Sequence, residues 1–147
     1  SDPRENIAKF LVENIDEKGS VIAYHASYEK GRILEMAKKY PKYRKRLESI
    51  ADRLWDLEDI FNKGYYVSSE FKGSTSIKKI LPVFVPELDY STLSISNGAL
   101  AYIGYLEMIN YKTSSRKKKE IYSSLLEYCK MDTYAMYAIL ESLRRCL

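Results

Sequence analysis

The sequence predicts a mostly helical α/β fold with one confident strand. Apolar residues recur at helical spacing along most of the chain, and the last helical segment covers about residues 118–145. A short run of strand-forming residues, 21–24, follows a Gly-Ser turn. The chain has 147 residues, a length that supports one domain with one core. We therefore expect a single domain over residues 1–147.

Helical spacing predicts six helices. They cover about residues 5–16, 27–40, 43–54, 74–81, 99–110 and 118–145. Ser27 is the expected N-cap of the second helix, and the fourth is expected to end before Pro82. Residues 64–73 lack a helical period and predict a hairpin or an extended loop. Since one strand cannot form a sheet, we expect its partners either in that segment or outside this chain.

Composition and cysteine usage exclude several classes of protein. The chain is 46% hydrophobic and 30% charged, which argues against disorder. The longest apolar run, residues 80–86, is too short to span a bilayer and contains proline. Cys129 and Cys146 lie in one predicted helix, roughly 25 Å apart and beyond disulfide reach. We therefore expect reduced thiols, a cytoplasmic location and no membrane association.

Basic residues concentrate in two clusters, residues 38–46 and residues 116–119, within a chain of net charge +4. Such clusters suit a nucleic-acid backbone, and tyrosines between the basic residues of the first cluster can stack on bases. A solvated helix face or loop explains the same pattern equally well. The basic residues proposed to bind nucleic acid here are Lys42, Arg44, Lys45, Arg46, Arg116, Lys117 and Lys118.

A carboxylate interrupts the apolar face of the last predicted helix. Asp132 lies in the middle of that face, and burying a carboxylate is costly unless something pairs with it or binds it. Tyr128 precedes Asp132 by one turn, so their side chains share a face. Asp132 either accepts hydrogen bonds from neighbouring backbone, caps another helix, or belongs to a binding site. The apolar residues of the face are Ile121, Leu125, Tyr128, Ala135, Met136, Ile139 and Leu143.

A second acidic position lies where the predicted strand passes into a helix. Glu29 falls in the first helical turn, where the helix dipole favours an acid. His25 is the single histidine of the chain, and a lone histidine more often makes a local hydrogen bond than takes part in catalysis. One histidine and two cysteines do not suggest a zinc site.

Together these two places resemble the DEDDy group of 3′–5′ exonucleases. Residues 25–29 resemble the second motif of that group, Asn-x-x-Phe-Asp, with Glu29 in the acidic position and His25 in place of the amide. Residues 128–132 match its third motif, Tyr-x-x-x-Asp. The chain is most similar to a bacterial domain family of unknown function within this group. That similarity is carried by residues 28–32, 55–57, 73–82, 97–101 and 126–133.

The resemblance implies a ribonuclease-H-like fold and two-metal hydrolysis at the end of single-stranded DNA or RNA. It assigns Asp132 and Glu29 to the binding of Mg²⁺ or Mn²⁺. It assigns Tyr128 to orienting the attacking water. Lys30 or Arg32 would contact a substrate phosphate, although an exposed salt bridge accounts for either residue equally well.

Part of the family pattern is missing from this chain. The first motif, Asp-x-Glu, should precede residue 25, and nothing there matches it. Asp56 and Glu58 have that spacing but follow the second motif. We therefore expect Asp56 to cap or pin the segment after it. A supporting role near the site, together with His25, is the alternative.

These departures predict a domain truncated at its N-terminus, lacking its first strands. The chain also starts without methionine, so we expect it to be part of a longer protein. By itself it is expected to be weakly active or inactive, because two carboxylates hold Mg²⁺ poorly. The strand at residues 21–24 is expected to keep a free edge, able to pair with a second copy.

Two further functions stay open at this point. A non-catalytic nucleic-acid-binding or docking module of a larger DNA- or RNA-processing protein explains the basic clusters without the missing carboxylates. The other alternative is a helical interaction domain in which Asp132 is a structural cap. In that case the two motif matches would occur together by chance.

Overall fold

A computed structural model of the chain describes residues 2–146. Short 3₁₀ helices lie at Pro41–Tyr43, Ser69–Phe71 and Tyr90–Thr92. The chain divides after Tyr66 into two compact units, and whether both belong to one domain stays a prediction. The mostly helical α/β class is confirmed. The helices and strands are α1 (Arg4–Asn14), β1 (Val21–Ala23), α2 (Ala26–Lys39), α3 (Arg44–Asp52), β2 (Leu54–Asp56), α4 (Asp59–Asn62), α5 (Ile77–Phe84), α6 (Gly98–Ile109) and α7 (Ser115–Arg145).

The first unit contains a parallel pair of strands. β1 pairs with β2, with Val21 opposite Leu54 and Ala23 opposite Asp56. Parallel strands need a long crossover connection, which α2 and α3 supply here. β1 has β2 as its one strand neighbour within residues 2–146. Because the strands are parallel, the residues that follow β1 and β2 meet at one edge of the sheet.

Three helices form the core of the first unit. All three contribute buried apolar residues, and those of α2 and α3 recur at helical spacing. The buried residues of this cluster are Ala8 of α1, Ile33, Met36 and Ala37 of α2, and Leu47, Ile50 and Ala51 of α3.

The second unit is built around α7, which packs against α5 and α6. Ile121 and Ile139 of α7 are buried, as is Leu81 of α5. Gly104 of α6 is also buried, and a Cβ atom there would lie 3.2 Å from Ile95 Cδ1 and 3.4 Å from Ile121 Cγ2. Glycine therefore permits the close approach of α6 to α7.

Side-chain caps begin the two C-terminal helices. The Leu100 N–H donates to Asn97 Oδ1 at 2.9 Å, at the start of α6. The Lys117 N–H donates to Ser114 Oγ at 3.3 Å, so α7 begins three residues before the predicted start. The predicted helices over residues 99–110 and 118–145 are both present.

The predicted helix over residues 43–54 is too long at its C-terminal end. α3 ends at Asp52, and residues 54–56 form β2 instead. Pairing with β1 overrides the helical pattern there, since a strand is stabilised by its neighbour and not by local spacing. Within residues 2–146 the partner of β1 is therefore β2 and not a strand in residues 64–73, so that part of the expectation was wrong, while further strands outside this chain stay a prediction.

Three local predictions are also corrected. Ser27 lies inside α2, and His25 occupies the N-cap position without a side-chain cap of its own. α5 begins at Ile77 and continues through Pro82 to Phe84. Proline removes one helical hydrogen bond and its ring crowds the preceding turn, and the burial of Ile80 and Leu81 offsets this cost in the short helix. Of the two alternatives predicted for residues 64–73, the hairpin is not formed, and the segment is a loop that contains the 3₁₀ helix Ser69–Phe71.

The sequence argued against a disulfide bond and against a membrane-spanning segment. Cys129 and Cys146 are free and exposed. Across residues 2–146, every helix is too short or too polar to span a lipid bilayer.

Candidate functional site

The Asp56 carboxylate joins the ends of both strands to the start of α2. Asp56 Oδ1 accepts hydrogen bonds from the His25 N–H at 2.9 Å and from the Glu58 N–H at 3.0 Å. Asp56 Oδ2 accepts another from the Ala26 N–H at 2.8 Å. A carboxylate at a helix N-terminus satisfies backbone donors that have no partner within the helix. Asp56 therefore caps α2 and also turns the chain after β2.

His25 is held in an unusual conformation beside this carboxylate. Its backbone is left-handed, with φ 62° and ψ 48°, which costs a non-glycine residue roughly 1–2 kcal/mol. His25 Nδ1 lies 2.9 Å from Glu58 Oε2. The His25 side chain is 72% exposed and that of Glu58 is 13% exposed. The hydrogen bond with Glu58 raises the pKa of His25.

The neighbours of His25 complete a polar cluster in the first unit. Burial, followed by the negative charges of Glu58 and Asp56, raises the pKa of Tyr24 well above its usual range. Glu29 lies in the first turn of α2 and is exposed. The strand ends thus bring together one histidine and several acidic groups, as expected at the carboxyl edge of parallel strands.

A second candidate group lies on α7. Asp132 is half-buried, and the Tyr90 hydroxyl donates to Asp132 Oδ1 at 2.8 Å. The Tyr90 and Tyr128 rings meet edge to face, with centroids 6.3 Å apart and planes at 63°. Burial, followed by the negative charge of Asp132, raises the pKa of Tyr128 to about 12. Tyr128 therefore stays protonated at neutral pH and acts as a hydrogen-bond donor.

The two groups belong to different units. Glu29 and His25 are in the first unit, whereas Tyr128 and Asp132 are in the second. Within residues 2–146, no three His, Cys, Asp or Glu side chains form a group suited to a metal ion. The donors described here do not by themselves fit Mg²⁺ or Mn²⁺, which require a nearly complete shell of oxygen ligands.

Several basic residues of the first cluster make contacts within the chain. Lys42 Nζ lies 2.6 Å from Glu5 Oε1. Arg44 Nε donates to the Ala37 carbonyl oxygen at 3.4 Å. Arg46 donates to the Ile15 carbonyl oxygen at 2.6 Å. Lys45 is exposed.

The remaining basic candidates lie at the surface. Lys30 Nζ is 3.7 Å from an Asp52 oxygen, Arg32 pairs with Glu35 at 2.6 Å, and Arg116 pairs with Glu120 at 3.0 Å. Exposed pairs of this kind contribute little stability, so a phosphate can replace the carboxylate. Lys117 is exposed and Lys118 is half-buried.

Sequence reasoning missed three members of these groups. Glu58 was noticed only as part of the Asp-x-Glu spacing, and its contact with His25 joins residues 33 positions apart. Tyr90 carries no motif of its own. Lys78, whose Nζ lies 5.3 Å from the centre of the Tyr90 ring, falls within the family-like residues 73–82 but was given no role. Asp89 accepts the Ser91 N–H at 2.9 Å, a local turn signal that places Tyr90 in a 3₁₀ helix. Nothing in that signal points to Asp132.

Comparison with known proteins identifies the family. Residues 1–76, about half of the chain, match the family described as Domain of unknown function (DUF2779). The chain belongs to this family. The prediction of a domain family of unknown function is therefore confirmed.

Relatives of this DUF2779 chain are much longer bacterial proteins. An uncharacterized protein of Mycoplasma pneumoniae, a homolog of MG366, is 30% identical over 146 residues, which cover 92% of this chain and 22% of that protein. Uncharacterized protein MG366 of Mycoplasma genitalium is 28% identical, covering 88% of this chain and 21% of that protein. Uncharacterized protein UU173 of Ureaplasma parvum is 28% identical, covering 94% of this chain and 23% of that protein. The chain thus spans about a fifth of these relatives. No solved structure matches it.

Proposed function

We propose that the chain is part of a metal-dependent 3′–5′ exonuclease-like domain acting on single-stranded DNA or RNA. The observation that carries this proposal is the pair Tyr128 and Asp132, one turn apart on α7, with Asp132 half-buried and bonded to the Tyr90 hydroxyl at 2.8 Å. A protonated tyrosine beside a carboxylate can orient a water molecule for attack on a phosphodiester. The same pair resembles the third motif of the DEDDy exonucleases. A ribonuclease-H-like fold is part of the proposal.

The proposal requires that the longer protein supply further acidic ligands for the metal ions. Asp132 and Glu29 are two carboxylates in separate units, and a two-metal site needs more oxygen ligands than these. The relatives are long enough to supply them, since the chain covers only 21–23% of each. We therefore propose that the remainder of the longer chain supplies the missing carboxylate ligands, and that His25 and Asp56 support Glu29 within the first unit.

The distribution of basic residues supports a nucleic-acid partner. Lys45, Arg116 and Lys117 are exposed, and Arg116 makes a surface pair with Glu120. Side chains of this kind can exchange a carboxylate for a phosphate at small cost.

The test is manganese-dependent trimming of 3′ ends. Labelled single-stranded DNA and RNA are incubated with this chain and with a form extended upstream in the longer protein. We expect trimming by the extended form and its loss in Asp132→Asn. Glu127→Gln is the matched control, because Glu127 is an exposed acid on the same helix. Equal trimming by both variants, or none by the extended form on either nucleic acid, would contradict the proposal.

A non-catalytic nucleic-acid-binding module is the second candidate. It is favoured by basic side chains that lie over exposed or half-buried tyrosines. Lys42 Nζ lies 4.8 Å from the centre of the Tyr43 ring, and Lys112 Nζ lies 5.7 Å from that of Tyr111. Aromatic rings next to cations are typical of surfaces that stack bases and neutralise phosphates. Binding of both nucleic acids by the extended form, without trimming, would favour this candidate.

A further inference from the structure

Lys78 lies beside the tyrosine pair of the second unit. It belongs to α5 and is half-buried, whereas its neighbour Lys79 is exposed. Lys78 Nζ donates to the Ser96 carbonyl oxygen at 2.6 Å. The same ammonium lies 5.3 Å from the centre of the Tyr90 ring and 5.6 Å from that of Tyr128. Three contacts therefore fix the position of this charge.

The same tyrosines connect Lys78 to the proposed site. The Tyr90 hydroxyl donates to Asp132 at 2.8 Å, and the Tyr90 ring packs on Tyr128. Lys78, the two tyrosines and Asp132 thus form one continuous cluster, all within the second unit. A positive charge therefore lies beside Tyr128, and Tyr90 connects it to Asp132.

An ammonium group in this setting has capacity for another ligand. Lysine carries three N–H donors, and the Ser96 carbonyl accepts only one of them. A half-buried charge is less screened than an exposed one, so its attraction for an anion is stronger. Aromatic faces stabilise the cation without consuming its donors. A phosphate oxygen is the acceptor that meets these conditions on a nucleic acid.

We propose that Lys78 contacts a backbone phosphate of the strand bound at the Tyr128–Asp132 pair. This inference rests on the proposed function and names the residue that holds the substrate there. The contrasting structural role is to tie α5 to the Ser96 segment through the hydrogen bond and the ring contacts. The two roles differ in one respect, because only a phosphate contact changes how binding depends on salt.

The experiment compares Lys78→Met with Lys79→Met in the 147-residue chain. The two lysines are adjacent on α5, so the variants remove the same charge from the same helix. Binding of a fluorescently labelled single-stranded oligonucleotide is measured by anisotropy in EDTA at several salt concentrations. We expect Lys78→Met to weaken binding roughly five- to tenfold and to lower the slope of log affinity against log salt by about one. Lys79→Met should stay within roughly twofold of the parent chain, and Lys78→Arg should retain most of the affinity.

Equal losses in the two methionine variants, an unchanged salt slope, or no binding by the parent chain would overturn the inference. If Lys78→Met fails to fold, a second measurement on the parent chain tests the same contact. Methylation of lysine amines in the parent chain is compared by mass spectrometry with and without oligonucleotide. Protection of Lys78 greater than that of Lys79 supports the contact, and equal protection overturns it.

These readouts are separate from the trimming assay. Binding is measured without metal, so a failure of the exonuclease proposal leaves a selective loss in Lys78→Met observable. Conversely, trimming by the extended protein together with an unchanged Lys78→Met affinity would overturn only the role of Lys78.

Discussion

Asp56 Oδ2 accepts a hydrogen bond from the Ala26 N–H at 2.8 Å, so a residue at the end of β2 caps the helix that follows β1. The same carboxylate accepts the His25 and Glu58 N–H groups. Three backbone donors from two segments therefore depend on one side chain. This arrangement fixes the geometry in which His25 and Glu58 meet.

Removing this carboxylate should destabilise the first unit. We expect Asp56→Ala to lower the free energy of unfolding by roughly 2–3 kcal/mol, because a cap and further charged hydrogen bonds are lost together. Asp59→Ala is the matched control. Asp59 makes an exposed pair with Lys63 at 2.7 Å, worth about 0.3–0.5 kcal/mol. Urea unfolding followed by circular dichroism measures both, and equal losses would contradict the capping role.

The single histidine makes its own titration easy to follow. The hydrogen bond with Glu58 raises the pKa of His25 above its ordinary value of 6.5. We expect the one histidine C2–H signal in proton NMR to titrate above that value. Glu58→Gln should return the midpoint toward 6.5, whereas Glu29→Gln should move it less, since Glu29 acts only through its charge. An unchanged midpoint in Glu58→Gln would rule out the pair as the cause.

The same pair gives a direction to the dependence of stability on pH. A folded-state pKa raised above the unfolded value means that the protonated histidine stabilises the fold. This contribution is fully present below about pH 6.5 and is lost as the pH rises through the folded-state pKa. We expect Glu58→Gln to flatten this part of the stability profile. The opposite result would be a parent chain that becomes less stable as the pH falls toward 6, with that loss absent in Glu58→Gln. It would contradict a stabilising role of the protonated histidine.

Asp132 should control the acidity of Tyr128. Burial and the charge of Asp132 raise the pKa of that tyrosine to about 12. We expect Asp132→Asn to lower the pKa of Tyr128, because the phenolate no longer meets a negative charge. Labelling of tyrosine Cζ with ¹³C follows the ionisation, and Tyr128→Phe assigns the signal. The same pKa in Asp132→Asn and in the parent chain would show that burial alone is responsible.

We expect Arg46 to stabilise the fold and its neighbour Lys45 to bind nucleic acid. Arg46 donates to the Ile15 carbonyl oxygen at 2.6 Å and to that of Val12 at 3.3 Å, which satisfies the C-terminal end of α1. We expect Arg46→Ala to cost about 1–3 kcal/mol of stability. Lys45→Ala should change stability by less than about 0.5 kcal/mol and should weaken oligonucleotide binding. Thermal unfolding and anisotropy measure the two effects, and a stability loss in Lys45→Ala equal to that in Arg46→Ala would contradict this division.

Local spacing was sufficient to predict most of the helices. In α2 and in α7, the apolar residues that define the helical pattern are separated by a few turns of the same helix. Ile33, Met36 and Ile139 are buried, as this pattern predicts. A cap such as Asn97 also acts within one turn. The Tyr128–Asp132 spacing is of the same kind, because residues four apart share a helix face. Because these features depend only on residues close together in the chain, they can be predicted from the sequence.

Contacts between distant residues were decided by tertiary structure. β2 forms because Leu54–Asp56 lies beside β1, although the local pattern there favours a helix. Asp56 caps α2 across 30 positions, and Tyr90 reaches Asp132 across 42. The free energy of such contacts depends on how the intervening chain closes and packs, which no local pattern records. The sequence by itself therefore determined the helices and the Tyr128–Asp132 pair, whereas the folded chain decided which groups surround Asp132 and His25.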